Sequence, residues 1–184
     1  MTTATAQAHP NIALVKYWGK ADTTQNLPAT GSLSMTLDVF PTTTTVRTDT
    51  GAAVDRVVMN GSEREGVVRE RVVRFLDHVR HLAGSDAAAE VVTRNTVPSA
   101  AGLASSASGF AALALAASTA YGLDLDTRAL SRLARRGSGS ASRSIISRFA
   151  IWHAGDDEHS FAEHIDAPEI EMVIGGDDFI VHVH

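Results

Sequence analysis

From Pro98 to Ala120 nearly every side chain is small, and this run limits how the chain can fold. Its second half, from Ser105 to about Tyr121, reads as a helix that Ser105 or Ser106 can cap and Gly122 can end. An alanine-rich helix has little side chain to hold a neighbour away, so it packs closely against a sheet. The first half, Pro98-Ser-Ala-Ala-Gly-Leu-Ala-Ser-Ser-Ala-Ser-Gly109, is a loop opening into that helix. Tiny side chains let backbone N–H groups approach an anion, and the positive end of the helix faces the same point. The Ser105, Ser106 and Ser108 hydroxyls add donors. No Gly-Lys-Ser/Thr follows, so this is not a Walker A loop. On composition alone, a closely packed alanine helix with a flexible start explains the run almost as well.

Around it the pattern predicts an α+β domain, with an antiparallel-rich sheet and helices on one face. Residues 1–8 are small and polar, and are expected to be a disordered leader. Strands are expected at Ile12–Trp18, Ser32–Asp38, Thr42–Arg47 and Val54–Met59, the last closed by the turn signal Asn60-Gly61. In the second of these, Leu33, Met35 and Leu37 share one face. Val68, Val72, Phe75, Leu76, Val79 and Leu82 recur at helical spacing and predict a helix ending near Gly84. Glu90–Arg94 reads as a strand, and Asp126 opens a third helix that ends at Gly137. Strands follow at Phe149–His153, Ser160–His164 and Glu169–Ile174, with no internal repeat and no domain linker.

Two further segments suit anions. Lys16-Tyr17-Trp18-Gly19-Lys20 ends an apolar strand, and a lysine interrupting such a run is costly unless it meets an anion or a wet cleft. A strand end reaching solvent is the plainer explanation. Arg135-Arg-Gly-Ser-Gly-Ser-Ala-Ser-Arg-Ser144 packs three arginines, four serines and two glycines into ten residues. Guanidinium groups bind phosphate or carboxylate bidentately. A basic helix C-terminus accounts for Arg135, Arg136 and Gly137, but poorly for Ser138, Ser140 and Arg143. Three potential anion sites point to a ligand with several phosphates, accompanied by Mg²⁺, and to phosphoryl transfer. The net charge of -5 argues against nucleic acid as the main partner. There are no cysteines for disulfides or thiolate metal sites, and no membrane span, since Ala111–Ala120 is too short. With no secretory signal in Met1–Pro10, a cytoplasmic protein is expected. His182 and His184, with His159 and His164 nearby in sequence, are a weak metal signal, and no metal site is assigned to them.

Together the three segments resemble the diphosphomevalonate decarboxylase family within the GHMP kinase superfamily. His9-Pro-Asn-Ile-Ala-Leu-Val-Lys-Tyr-Trp-Gly-Lys20, Asn26-Leu-Pro28 and Ser32-Leu-Ser-Met-Thr-Leu-Asp38 resemble its N-terminal signature. Pro98–Gly109 resembles its phosphate-binding loop and Gly137–Arg143 its third motif. The resemblance runs from about His9 to Gly155 and implies the GHMP-kinase N-terminal domain fold, with a domain over residues 9–174. It implies ATP-dependent decarboxylation of (R)-5-diphosphomevalonate to isopentenyl diphosphate, in the mevalonate route to isoprenoids. The family phosphorylates a tertiary hydroxyl and then loses phosphate and CO₂. On this resemblance, Tyr17, Trp18, Gly19 and Lys20 line the substrate site, with Arg71 at the diphosphate and Lys16 near the reacting groups. Ser138, Gly139, Ser140, Ala141, Ser142 and Arg143 hold the substrate, with Arg143 at its carboxylate. Ala101, Gly102, Leu103, Ala104, Ser105, Ser106 and Ser108 hold the ATP phosphates.

The chain also departs from the family. Ser142 stands where cysteine is usual, and Ser147-Arg148 where a Gly-Gly pair is usual. The latter pair is expected to strain a tight bend or obstruct the cleft. No Asp-Ala-Gly-Pro motif, which carries the family's catalytic base in its second domain, occurs in these 184 residues, so that domain is expected to be missing and residues 175–184 to be an atypical tail. The expectation is a truncated, inactive form that retains the ligand-binding residues. The alternatives are a non-catalytic binding or assembly module, homodimeric through an exposed sheet edge, and a related small-molecule kinase.

Overall fold

A computed structural model describes residues 2–16, 19–48, 50–96, 105–166, 170–175 and 178–183. The largest sheet holds β1 (Thr3–Ala8), β6 (Thr42–Thr48), β9 (Ala89–Asn95), β7 (Arg56–Met59) and β8 (Ser62–Glu63), in the spatial order β1-β6-β9-β7-β8. Its pairings are antiparallel except β7 with β9. A second antiparallel sheet has the order β11-β10-β5-β2, from β2 (Asn11–Val15), β5 (Ser32–Thr36), β10 (Phe149–Trp152) and β11 (Ala162–His164). Short strands β3 (Lys20–Asp22) and β4 (Leu27–Pro28) form a hairpin, as do β12 (Ile170–Gly175) and β13 (Asp178–Val183).

Three helices build the core with the larger sheet. On α1 (Gly66–Ala83), Val72, Phe75, Leu76 and Val79 are buried at spacings of three and four, and Gly84 ends it in the left-handed conformation that glycine tolerates. Helix α2 (Ser105–Ala120) lies against β1 and β6. Ala107, Ala111, Ala112, Ala114, Ala116 and Ala117 are essentially inaccessible, as expected of a helix whose small side chains admit close neighbours. Helix α3 (Thr127–Gly137) is capped by Asp126, whose side chain accepts from the Ala129 N–H. It leads directly into a 3₁₀ helix, Gly139–Ile145. Asn60 and Gly61 both have positive φ, 52° and 79°, as a tight two-residue hairpin requires.

Two expectations are corrected. Residues 1–8 are not a disordered leader: Thr3–Ala8 is an edge strand in register with Thr42–Arg47. Its composition is poor in large apolar groups, yet its small alanines alternate toward the core, with Ala8 buried. Thr5 and Thr45 also share a hydroxyl contact of 2.9 Å across the strands. In β5 the predicted alternation exists, but Ser32 and Ser34 are more deeply buried than Leu33 and Met35. For Ser32 the reason is a polar neighbour, since Arg143 on the 3₁₀ helix donates to its hydroxyl at 2.8 Å, whereas the buried Ser34 hydroxyl has no partner among the described residues.

Packing is tight at Gly137, where α3 meets α2. A Cβ at Gly137 would stand 2.0 Å from Phe110 Cδ1, so Gly137→Ala forces the ring to move. Its unfolding free energy in urea should fall by about 1–3 kcal/mol. Arg148 is exposed, and its φ of 61° is disfavoured for any residue with a Cβ. The expected strain at Ser147-Arg148 is therefore found at Arg148, and Arg148→Gly should raise the unfolding free energy in urea by about 1 kcal/mol or less after the entropy of glycine is subtracted.

Candidate functional site

The third motif begins where α3 ends. Its 3₁₀ helix is held by a polar centre at Asn11 on β2. Asn11 Nδ2 donates to the Ser140 carbonyl at 2.9 Å and to Ser144 Oγ at 2.8 Å. Its Oδ1 accepts from Arg143 Nε and Nη2 at 3.2 and 3.1 Å. Arg143 is buried, bonds Ser32 as well, and sits 5.5 Å from the Trp152 ring centroid, within cation–π range. A buried guanidinium needs such partners. Asn11 therefore orients both Arg143 and the start of the 3₁₀ turn.

The first turn of α2 meets this motif. The Ser138 hydroxyl lies 3.4 Å from that of Ser106 and 3.3 Å from that of Ser140. Three half-buried hydroxyls thus cluster at the positive end of a 16-residue helix. Next to them a cavity of about 240 Å³ opens between α1, α2 and the sheet, lined by Ser106, Arg71, Phe110, Leu113, Val72 and Thr93 among others. Arg71 lies at its rim, 5.2 Å from the Phe110 ring centroid. On the other side, Lys20 Nζ donates to Asn26 Oδ1 at 2.8 Å. Asn26 Nδ2 in turn donates to the carbonyls of Arg135 and Arg136 at 3.0 and 3.3 Å.

The structure thus brings Ser106, Ser138 and Ser140 together, with Arg71, Lys20 and Arg143 on neighbouring elements. Gly19 takes a left-handed φ of 74° and Lys16 is exposed beyond β2. Other candidate residues face inward. Ser108 is buried and pairs with the Thr42 hydroxyl at 2.8 Å. Ser142 donates to the Gly139 carbonyl at 2.8 Å, and Ala141 and Gly139 are buried. Tyr17, Trp18, Ala101, Gly102, Leu103 and Ala104 lie outside the described residues, as does the Ser105 side chain. Arg135 and Arg136 turn to Asp157, as a basic helix end allows. Among the described residues, no three His, Asp or Glu groups are placed to share a metal, and no helix is long and apolar enough to cross a membrane.

Asn11, Asn26 and Asp157 received no role from sequence. A polar residue heading the apolar run Ile12–Val15 was a usable signal for Asn11. For Asp157 there was none, because its arginines lie more than twenty residues away.

Residues 8–162 match a family model described as the diphosphomevalonate decarboxylase-like N-terminal domain. The chain is 42% identical to the diphosphomevalonate decarboxylase of Ganoderma lucidum over 167 residues, covering 83% of this chain and 42% of that one. It is 42% identical to the phosphomevalonate decarboxylase of Haloferax volcanii, covering 83% and 47% of the two chains. The mevalonate diphosphate decarboxylase from Enterococcus faecalis, solved in work on its mevalonate diphosphate mediated ATP binding, superimposes with a TM-score of 0.86. The identity there is 51%, over 90% of this chain and 52% of the other. The chain spans about half the length of the relatives it matches.

Asp157 makes the site's neighbourhood sensitive to acid. Burial raises its pKa, but the hydrogen bond and charge of Arg135, with Arg136 and Arg132, bring it below the ordinary 3.8. A carboxylate with a folded pKa below its unfolded one stabilises fully above the unfolded value and loses that stabilisation as pH falls toward the folded one. The urea midpoint should therefore drop as pH is lowered from about 5 through 3.8 and below. Asp157→Asn should lower the midpoint at neutral pH and flatten this dependence relative to the parent chain.

Proposed function

We propose, from the premise that this chain belongs to the diphosphomevalonate decarboxylase-like family, that it binds ATP and (R)-5-diphosphomevalonate. In this reading it contributes the ligand-binding half of an ATP-dependent decarboxylase that forms isopentenyl diphosphate. The observation that carries the reading is the meeting of Ser106 with Ser138 and Ser140. It joins two segments that each suit anions, separated by some thirty residues of chain.

The residues fit a polyphosphate. Hydroxyls gathered at a helix N-terminus offer donors and a positive dipole to an anion. Ser106 and the first turn of α2 take the ATP phosphates, and the apolar part of the adjoining cavity takes a flat ring. Bound Mg²⁺ neutralises charge on the transferring phosphate. Lys20, Arg71, Ser138 and Ser140 hold the diphosphate end of the substrate, and the family resemblance assigns Tyr17, Trp18 and Gly19 to the same site. Arg143, held by Asn11 and Ser32, faces the carboxylate, and Lys16 lies near the reacting hydroxyl. Phosphorylating that hydroxyl turns it into a good leaving group, and loss of CO₂ then follows through a carbocation-like state stabilised by nearby charge. The protein works in the cytoplasm in this reading, as a homodimer if an open strand edge such as β8 is used.

Calorimetric titration of the 184-residue chain tests the proposal. ATP·Mg²⁺ and diphosphomevalonate should each bind. Ser106→Ala should weaken ATP about tenfold, and Ser138→Ala with Ser140→Ala should weaken diphosphomevalonate at least as much, since each bond to a charged ligand is worth about 1.5–3 kcal/mol. Absence of binding by the unmodified chain would sink the proposal. The Haloferax volcanii relative, named a phosphomevalonate decarboxylase, favours a second reading in which the substrate carries one phosphate. Tighter binding of phosphomevalonate than of diphosphomevalonate would select it.

A further inference from the structure

We infer that Arg135, Asp157 and Asn26 form a clamp that sets the β3–β4 hairpin against the third motif. Asp157 and Asn26 are then positioning residues for the substrate's diphosphate end, an inference that rests on the binding reading above.

Arg135 is fully buried near the end of α3 and reaches two separate stretches of chain. Its Nη1 donates to the Gln25 carbonyl in the β3–β4 turn at 2.6 Å. Its Nη2 donates to the carbonyl of Asp157, at 3.2 Å, and to the Asp157 carboxylate. Asp157, in the loop between β10 and β11, also takes Arg132 Nη2 at 3.3 Å and lies 3.6 Å from Arg136 Nη1. From the hairpin, Asn26 returns the contact by donating to the carbonyls of Arg135 and Arg136, which end the helix. Its other end accepts from Lys20. The β3–β4 turn and the last turn of α3 are therefore tied in both directions.

Stability alone does not call for this arrangement. Asp157 is half-exposed, so its ion pairs with the arginines add little by themselves, and Arg135 Nε is buried without a hydrogen-bond partner among the described residues. Helix-end carbonyls are also readily satisfied by water. What the clamp does supply is a fixed distance between two ligand-facing groups. Lys20 lies at one end, and Ser138, three residues beyond Arg135, at the other. A diphosphate spanning the Lys20 ammonium and the Ser138 and Ser140 hydroxyls needs that spacing held, because misplacement by about 1 Å undoes preorganised binding. The ATP side, at α2, is not part of the clamp.

Two variants test it on the full chain. Asp157→Ala removes the carboxylate. Asn26→Gly keeps the left-handed φ of 54° and deletes only the bridging amide, so it folds even if the first does not. Each should raise the Kd for diphosphomevalonate about tenfold or more while leaving that for ATP·Mg²⁺ within about twofold, and Asp157→Glu should recover part of the loss. Amide hydrogen exchange over residues 20–28 should quicken in both variants, with α2 unchanged. Equal weakening of both ligands, or unaltered exchange in the hairpin, would overturn the clamp. If the unmodified chain binds no diphosphomevalonate, the functional reading fails by itself. Exchange then decides the clamp alone: hairpin-confined acceleration sustains it and its absence removes it.

Discussion

The close approach of α2 to its neighbours governs the rest of the molecule. Its alanines let the helix pack against β1 and β6, and Gly137 leaves room for the Phe110 ring where α3 meets it. The first turn of α2 thereby stands beside the start of the 3₁₀ helix, where Ser106 and Ser138 meet. Packing and site are thus the same fact seen at two ends of one helix: the side chains too small to hold neighbours off also set where the positive helix end points. The polar inner face of β6 is satisfied partly by this helix and partly by the neighbouring strand β9. Thr42 and Thr44 are buried, but each finds a hydroxyl within reach, on Ser108 and Thr93, which satisfies groups that would otherwise be costly inside.

A second polar interior lies under the smaller sheet. Arg143 reaches Asn11 and Ser32 there, and Asn11 reaches back to the 3₁₀ segment. Residues 11, 32 and 143 come from three distant parts of the chain, so the contact holds β2, β5 and the third motif in one frame. Burying that much polarity is sustained because the hydrogen bonds interlock, and such a network favours a single arrangement over several.

Much of this was legible beforehand. The helical spacing of Val72, Phe75, Leu76 and Val79, the Asn60-Gly61 turn and the Asp126 cap are local signals, and each corresponds to the element found. The small-residue run announced a tightly seated helix. What sequence reasoning misjudged depended on distant partners. Thr3–Ala8 looks unable to fold because its stabilisation comes from backbone pairing with β6, some forty residues on. Ser32 lies on the buried side of β5 because a guanidinium from residue 143 meets it there. Ser108 and Ser142 resemble ligand donors in one dimension, yet their hydroxyls are engaged by Thr42 and by the Gly139 carbonyl. Asp157 gathers Arg132, Arg135 and Arg136, a relation that no spacing rule exposes.

The contact between Gly137 and Phe110 reaches beyond stability. With no room for a Cβ at one position while a phenyl ring fills the other, the two behave as a single shared volume. A lineage carrying this domain can alter either residue only along a narrow corridor. A larger side chain at 137 becomes tolerable once the ring at 110 has shrunk, and a smaller one at 110 leaves a hole that 137 can fill. Substitutions at 137 therefore bear on the neighbouring cavity as well as on packing, because Phe110 is part of its wall.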